Sequence, residues 1–418
     1  MASSSSFHFI LFCSLFIAAS TLSSVATTSF RPKGLLLPVT KDASTQQYLT
    51  RINQRTPQVP LTLTVDLGGH LSWADCEKGF VSSTYRPARC NSAQCKVAWD
   101  TVCPNCPVKP DCINNTCGIA PTNTVNGLAG GSGQLGADVV SIQSNDGRAV
   151  SLSNFLFICT STSVLQGLAS SSKGMACLGM NKVTLPYQLA TAFRFPRKFA
   201  ICLSSSTISK GVILFGDGPY MFLPNVDVSN SLIYTPLIPT SAPYVIGVKS
   251  ILINQKVVPI DPGLISGYNE IQTQISTVDP YTLMHTSIYN AFIEVFIKEF
   301  PSATRVASVA PFGACFSSKS ISSTRAGPAV PHIDLVLQNK NVYWRIFGAN
   351  SMVRVSNEVL CLGFVDAGTE TGSLMVLGGH QIEDNFLQFD LKANRLGFSS
   401  SLLFRQTTCA NFNFTSHL

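Results

Sequence analysis

Thr64-Val65-Asp66-Leu67-Gly68-Gly69-His70-Leu71-Ser72-Trp73 is the stretch on which the reading of the chain turns. The residues leading into it, Pro60-Leu-Thr-Leu-Thr-Val, alternate apolar and polar as a half-buried strand should. That strand runs into an aspartate and then a glycine pair. Glycine lets a backbone bend where a side chain would clash, so such a junction presents the Asp66 carboxylate at the bottom of a cleft. Upstream, Gly34 to Thr40 and Gln47 to Ile52 read as short strands of the same kind.

The 418 residues are enough for two core-bearing lobes. Charged residues make up only 12%, and 23 Pro and 29 Gly are scattered through short apolar runs. That composition suits a sheet-rich globular protein and excludes a disordered or coiled-coil one. The net charge of +7 fits a basic secreted protein, or attraction to an acidic partner such as a pectin-rich wall or an acidic enzyme. There is no dense Lys/Arg run and no nucleic-acid motif, which argues against nucleic acid.

Residues 7–19 are apolar but too short to span a membrane comfortably, and Ser24-Val25-Ala26 fits a cleavage site. Residues 1–26 therefore read as a secretory signal peptide, although the start lacks Lys or Arg. No later stretch reads as transmembrane, so the mature protein is expected outside the cell, in the apoplast or wall, and free of the membrane.

Of fourteen cysteines, removal of Cys13 leaves thirteen: Cys76, Cys90, Cys95, Cys103, Cys106, Cys112, Cys117, Cys159, Cys177, Cys202, Cys315, Cys361 and Cys409. In a secreted chain these are disulfides. The odd count leaves at least one thiol over, and the zinc-like spacing of Cys103, Cys106, Cys112 and Cys117 is set aside because the compartment is oxidising. No metal or other cofactor is expected. Asn114 and Asn413 begin glycosylation sequons and should lie at the surface.

Further along, Phe155 to Thr160 reads as a strand and Pro186 to Ala190 as a short helix. Tyr244 to Asn254 reads as a strand pair interrupted by Gly247. In Ser287–Phe300 the residues Ile288, Ala291, Phe292, Val295 and Phe296 recur at helical spacing, and Pro301 stops the helix.

The Asp66 turn, with Trp73 seven residues on, resembles the first active-site turn of pepsin-like aspartic proteases, Asp-Thr-Gly-Ser-Ser. Lys173-Gly-Met-Ala-Cys-Leu-Gly-Met resembles their Gly-hydrophobic-Ala-Gly-Leu-Gly run. Leu374-Met-Val-Leu-Gly-Gly-His with Asn385 to Phe398 resembles their C-terminal signature. Three signals in the right order over residues 33–402 imply an all-β, bilobal, cysteine-rich pepsin-like fold, with lobes at 27–204 and 205–418.

The departures from that pattern concern chemistry. The turn threonine is Leu67, Cys177 replaces a glycine and is the candidate unpaired thiol, and no Tyr, Phe or Trp lies between Ile119 and Ile142 to serve a flap.

Aspartic proteases need two carboxylates about 3 Å apart that share a proton and activate water. Two registers compete for the second one. Matching Thr64-Val65-Asp66 to Thr277-Val278-Asp279 offers Asp279, but Pro280 follows and holds the preceding residue extended. Counting back from Tyr289, as plant members of the fold space their second turn, lands on Ser276-Thr277-Val278. This register is preferred because it keeps the strand and helix in place. It leaves Asp66 and Ser276 as vestigial positions and Asp279 as a turn carboxylate. A lone, partly solvated Asp66 is expected to titrate normally and stay ionised.

Ser276-Thr-Val-Asp-Pro-Tyr-Thr, Ser323-Thr-Arg-Ala-Gly-Pro-Ala-Val-Pro and Thr407-Thr-Cys-Ala-Asn-Phe-Asn-Phe-Thr resemble a narrower family. It comprises plant extracellular dermal glycoprotein, the xyloglucan-specific endoglucanase inhibitor proteins and basic 7S globulin, with wheat-type xylanase inhibitors more distant. The resemblance implies a secreted, glycosylated protein without protease activity that inhibits a microbial endo-β-glucanase. By analogy it also implies Cys315–Cys361 and Cys202–Cys409 disulfides. In the inhibitor members arginines from the second lobe plug the target cleft, and the matching positions are Arg325 and Arg405. The plain alternative for each arginine is a solvated charge or an internal salt bridge. Two rival functions remain: a basic 7S-type storage protein or binder of a small Cys-rich peptide, and a live protease using Asp66 and Asp279.

Overall fold

The computed structural model describes residues 31–99, 101–103, 115–240, 244–267 and 269–414. The expected signal peptide, together with Cys106, Cys112 and Asn114, lies outside them.

The alternating run before Asp66 forms strand Val59–Asp66, which pairs antiparallel with Tyr48–Gln54; that strand pairs in turn with Gly34–Lys41. Leu61, Leu63, Val65 and Leu67 are buried in the main core. A long hairpin, Gly133–Ser144 with Ala149–Thr160, closes this part of the sheet by also pairing with the two first strands.

The same sheet continues through Gly211–Gly216 and Lys198–Cys202 into Phe386–Asp390 and Arg395–Phe398. The C-terminal signature is therefore woven into the first half: Phe199 faces Phe389 in the ladder, with ring centroids 4.8 Å apart.

The second half carries its own sheet, in the order Val245–Val248, Ile271–Ile275, Met375–Leu377, Thr282–Met284, Phe364–Asp366. Helix Thr286–Lys298 covers it, burying Ile288, Tyr289, Phe292 and Phe296, and Phe292 lies 4.7 Å from Phe364. The His285 ring accepts the Ser287 N–H at its N-terminus, and the helix ends before Pro301. The short helix expected at Pro186 spans Leu185–Phe193.

One expectation is corrected. The break in the Tyr244–Asn254 region falls at Lys249, between strands Val245–Val248 and Ser250–Ile253, while Gly247 is an ordinary ladder residue opposite Gln272. Its missing side chain makes room for the Glu270 carboxylate: a β-carbon on Gly247 would sit 2.2 Å from Glu270 Oε2.

Two matching arrangements emerge. Val59–Asp66 runs parallel to Gly174–Cys177, which pairs antiparallel with Trp73–Asp75. Ile271–Ile275 runs parallel to Met375–Leu377, which pairs antiparallel with Thr282–Met284. Each delivers a turn to the centre of the molecule.

Candidate functional site

Asp66 ends its strand opposite Cys177 and is only 1% exposed. The Gly68 N–H donates to its Oδ1 at 2.8 Å, and the Thr124 hydroxyl donates to Oδ2 at 2.8 Å. Burial pushes its carboxyl up, against the pull of these bonds and of the Gly69 N–H. This corrects the expectation of a partly solvated, normally titrating carboxylate. The reason is the hairpin Thr122–Asn123/Leu128–Ala129, which brings Thr124 onto the acid. The Trp73 indole anchors that hairpin by donating to the Thr122 carbonyl at 3.0 Å. Sequence reasoning missed Thr124, and nothing in its polar, glycine-rich surroundings singles it out.

Among the described residues Cys177 is a free cysteine, and it is buried. Its N–H donates to the Ser72 hydroxyl at 3.0 Å. Its side chain takes the space left by Gly69, where a β-carbon would lie 2.3 Å from the sulfur and 2.5 Å from Asp66 Oδ2. Burial and the neighbouring Asp66 carboxylate both push the thiol up. Both effects disfavour the thiolate, the form in which a cysteine reacts.

The second turn enters from the other sheet. In the first ladder Val65 pairs with Ala176, and Asp66 and Cys177 follow. In the second Ile275 pairs with Leu377, and Ser276 and Gly378 follow. The Thr277 hydroxyl donates to the Val65 carbonyl at 2.9 Å and accepts the Leu67 N–H at 3.0 Å, tying this turn to the first. Ser276 is buried, and its hydroxyl accepts the backbone N–H groups of Val278 and Asp279 at 3.2 and 3.1 Å. Burial pushes the Asp279 carboxyl up and the Ser276 hydroxyl opposes that.

Arg325 and Arg405 lie elsewhere. Arg325 occupies the tip of the hairpin Ser323–Thr324/Gly327–Pro328, where Gly327 takes φ +90° to close the turn. The Thr324 hydroxyl donates to the Gly327 carbonyl at 2.8 Å and accepts the Ala326 N–H at 3.2 Å. Arg325 is exposed and has no ion pair or hydrogen bond among the described residues. Arg405 ends the 3-10 helix Leu402–Arg405, is half-buried, and donates to the Ser231 hydroxyl.

The segment Phe347–Ala349 joins the two loops. The Ala349 N–H donates to the Ala326 carbonyl at 2.7 Å, and the Phe347 ring lies 4.5 Å from that of Phe404. Both arginines are thereby presented from loops resting on one support.

The described disulfides are Cys76–Cys159, Cys90–Cys103, Cys95–Cys117, Cys202–Cys409 and Cys315–Cys361. Cys202–Cys409 ties the C-terminal segment that carries Arg405 to the shared sheet. Asn413 is half-buried. No cluster of three or more potential metal ligands occurs among the described residues, and no described helix is long and apolar enough to cross a membrane.

The xylanase inhibitor N-terminal family matches residues 48–217, and the xylanase inhibitor C-terminal family matches residues 243–400. "Probable aspartic proteinase GIP2" of Nicotiana benthamiana is 60% identical, over 100% of both chains. "Basic 7S globulin" of Glycine max is 37% identical, over 98% of this chain and 99% of that one. The crystal structure of edgp superposes with a TM-score of 0.88 at 52% identity, covering 93% of this chain and 100% of that one. Soybean basic 7S globulin superposes at 0.82 with 36% identity, covering 91% and 99%. An aspartic proteinase from Irpex lacteus, at 14% identity and a TM-score of 0.62 over 90% of this chain and 99% of that one, shares the fold. The chain thus belongs to the xylanase inhibitor family, carrying its N-terminal and C-terminal parts in order on a pepsin-like, all-β fold.

Proposed function

We propose that this is a secreted, proteolytically inactive protein that inhibits microbial xyloglucan-specific endo-β-1,4-glucanases by inserting Arg325 and Arg405 into the enzyme's carboxylate-lined cleft. The observation that carries the reading is the placement of the two arginines. Among the described residues one is exposed with no ion pair or hydrogen bond at a hairpin tip, the other donates to the Ser231 hydroxyl, and both loops rest on Phe347–Ala349. A retaining glycosidase holds two carboxylates about 5 Å apart. A guanidinium is planar, always charged and meets a carboxylate with two parallel hydrogen bonds. An arginine already committed to an internal salt bridge would have to break it first, and neither of these has one among the described residues.

The loss of proteolysis follows from the two turns. Ser276 follows Ile275 at the end of its strand as Asp66 follows Val65 in the first, which supports reading Ser276 in place of a second carboxylate. Asp279, three residues on, donates its backbone N–H to the Ser276 hydroxyl. The remaining acid is capped by Thr124. A single carboxylate can neither share a proton nor polarise water from two sides.

The test is inhibition of a purified fungal xyloglucan endoglucanase by the secreted protein beside Arg325→Ala and Arg405→Ala. The expected loss is about 2–5 kcal/mol of affinity for whichever guanidinium is fully desolvated at the contact. Inhibition that survives both changes would remove the arginines from the site. The resemblance to basic 7S globulin implies a second reading, storage or binding of a Cys-rich peptide. Absence of inhibition across a panel of glucanases and xylanases would select it.

A further inference from the structure

Phe404 is 54% exposed although it is a large apolar side chain placed directly before Arg405. Its position is well defined. It sits on the 3-10 helix Leu402–Arg405, which the Ser401 hydroxyl caps and Gln406 closes in a left-handed turn. Its ring leans on Phe347 at 4.5 Å and 52°. The ring is therefore packed in part while about half of it remains exposed.

Exposed aromatic side chains in well-packed surroundings, next to arginine, are the usual composition of an energetic centre in a protein interface. The partner's chemistry narrows the choice. A cleft that binds a polysaccharide recognises each sugar by stacking its C–H face on a tryptophan or tyrosine ring, beside the carboxylates that do the chemistry. A flat, apolar ring held one residue from a guanidinium presents the same pair of features that a sugar unit presents at the cleavage point: a face to stack and a polar edge for the carboxylates.

We infer that Phe404 is the aromatic anchor of this surface. It takes the place of a sugar ring on an aromatic platform of the target's cleft while Arg405 and Arg325 meet the carboxylates. This rests on the glycosidase-inhibitor reading above and adds to it the residue that fills the adjoining subsite. Phe347 is its positioning residue, since it fixes the ring without itself facing the partner to the same extent.

The test uses the secreted full-length protein against a purified fungal xyloglucan endoglucanase. Phe404→Ala should raise the inhibition constant about tenfold or more and leave the melting temperature unchanged, because the ring is largely outside the core. Phe404→Trp should stay close to wild type. Against an enzyme whose cleft tryptophan or tyrosine is replaced by alanine, Phe404→Ala should cause no further loss. If the arginine variants lose inhibition while Phe404→Ala matches wild type, the anchor alone is overturned. If wild type inhibits no enzyme of the panel, the inhibitor reading and the anchor fall together.

Discussion

The turn Asp66-Leu67-Gly68-Gly69 and the turn Ser276-Thr277-Val278-Asp279 arrive at the middle of the molecule from matching ladders, yet they have kept complementary parts. The first has a carboxylate and two glycines and no hydroxyl at Leu67. The second retains the hydroxyl of Thr277 and has neither a carboxylate at Ser276 nor a glycine at Val278. Thr277 reaches across to both the Val65 carbonyl and the Leu67 N–H; Leu67 has no atom with which to reciprocate. The half of the cross-connection that survives satisfies two buried backbone groups, and that is a structural duty independent of catalysis.

The surroundings of the turns differ in the same sense. Opposite Asp66 stands Cys177, accommodated because Gly69 has no side chain. At the corresponding place in the second ladder stands Gly378, where a β-carbon would lie 2.3 Å from the Tyr281 carbonyl group. The first turn has room to have drifted; the second is closed in by backbone.

Gly378→Ala is the sharpest probe of that contrast and should destabilise the protein by about 3 kcal/mol through backbone overlap. Cys177→Ala, its counterpart, should cost only about 1 kcal/mol for the lost sulfur. Chemical denaturation of the two variants reads both, and equal losses would mean the turns are equally constrained.

Thr277→Val comes next. It keeps the shape but leaves the Leu67 N–H and Val65 carbonyl without their partner, at a cost of about 2 kcal/mol. An unchanged denaturation midpoint would show that the surviving half of the cross-connection carries no weight.

The subtlest change is in a slope. Asp66 has its carboxyl pushed up by burial, so the folded state binds that proton more tightly than the unfolded one. The penalty is absent below the ordinary carboxylate range, grows as pH rises from the unfolded value to the folded one, and is constant above. Asp66→Asn should therefore raise the melting temperature at pH 7, with the gain shrinking to nothing at pH 3. Thr124 can still engage the amide by accepting from it. A gain that is the same at both pH values would show that Asp66 titrates as it does in the unfolded chain.

Much of this was legible beforehand for a physical reason. The strand before Asp66, the helix beginning near Ser287 and the C-terminal run through Asn385 to Phe398 advertise themselves through apolar period and turn residues, which are local properties. The preference for Ser276 as the counterpart of Asp66 also rests on local spacing to the helix; Ser276 directly follows the last paired residue of its strand, Ile275. Gly247 misled because a glycine in a strand reads as a break, while here it makes room for Glu270, which lies just before the neighbouring strand Ile271–Ile275.

By itself, then, the sequence determined the fold class and the family, and it pointed to Ser276 and Cys177 as the positions that depart from the pepsin-like pattern. Each of these rests on residue type and spacing along the chain. Only the tertiary structure decided how far Asp66 is buried, that Thr124 caps it, that Gly69 makes the cavity Cys177 fills, and that Arg325, Phe404 and Arg405 share the support of Phe347–Ala349. These depend on which segments meet in space. Thr124 lies 58 residues from Asp66 in the chain, and no periodicity or motif records such a meeting until the sheets have closed.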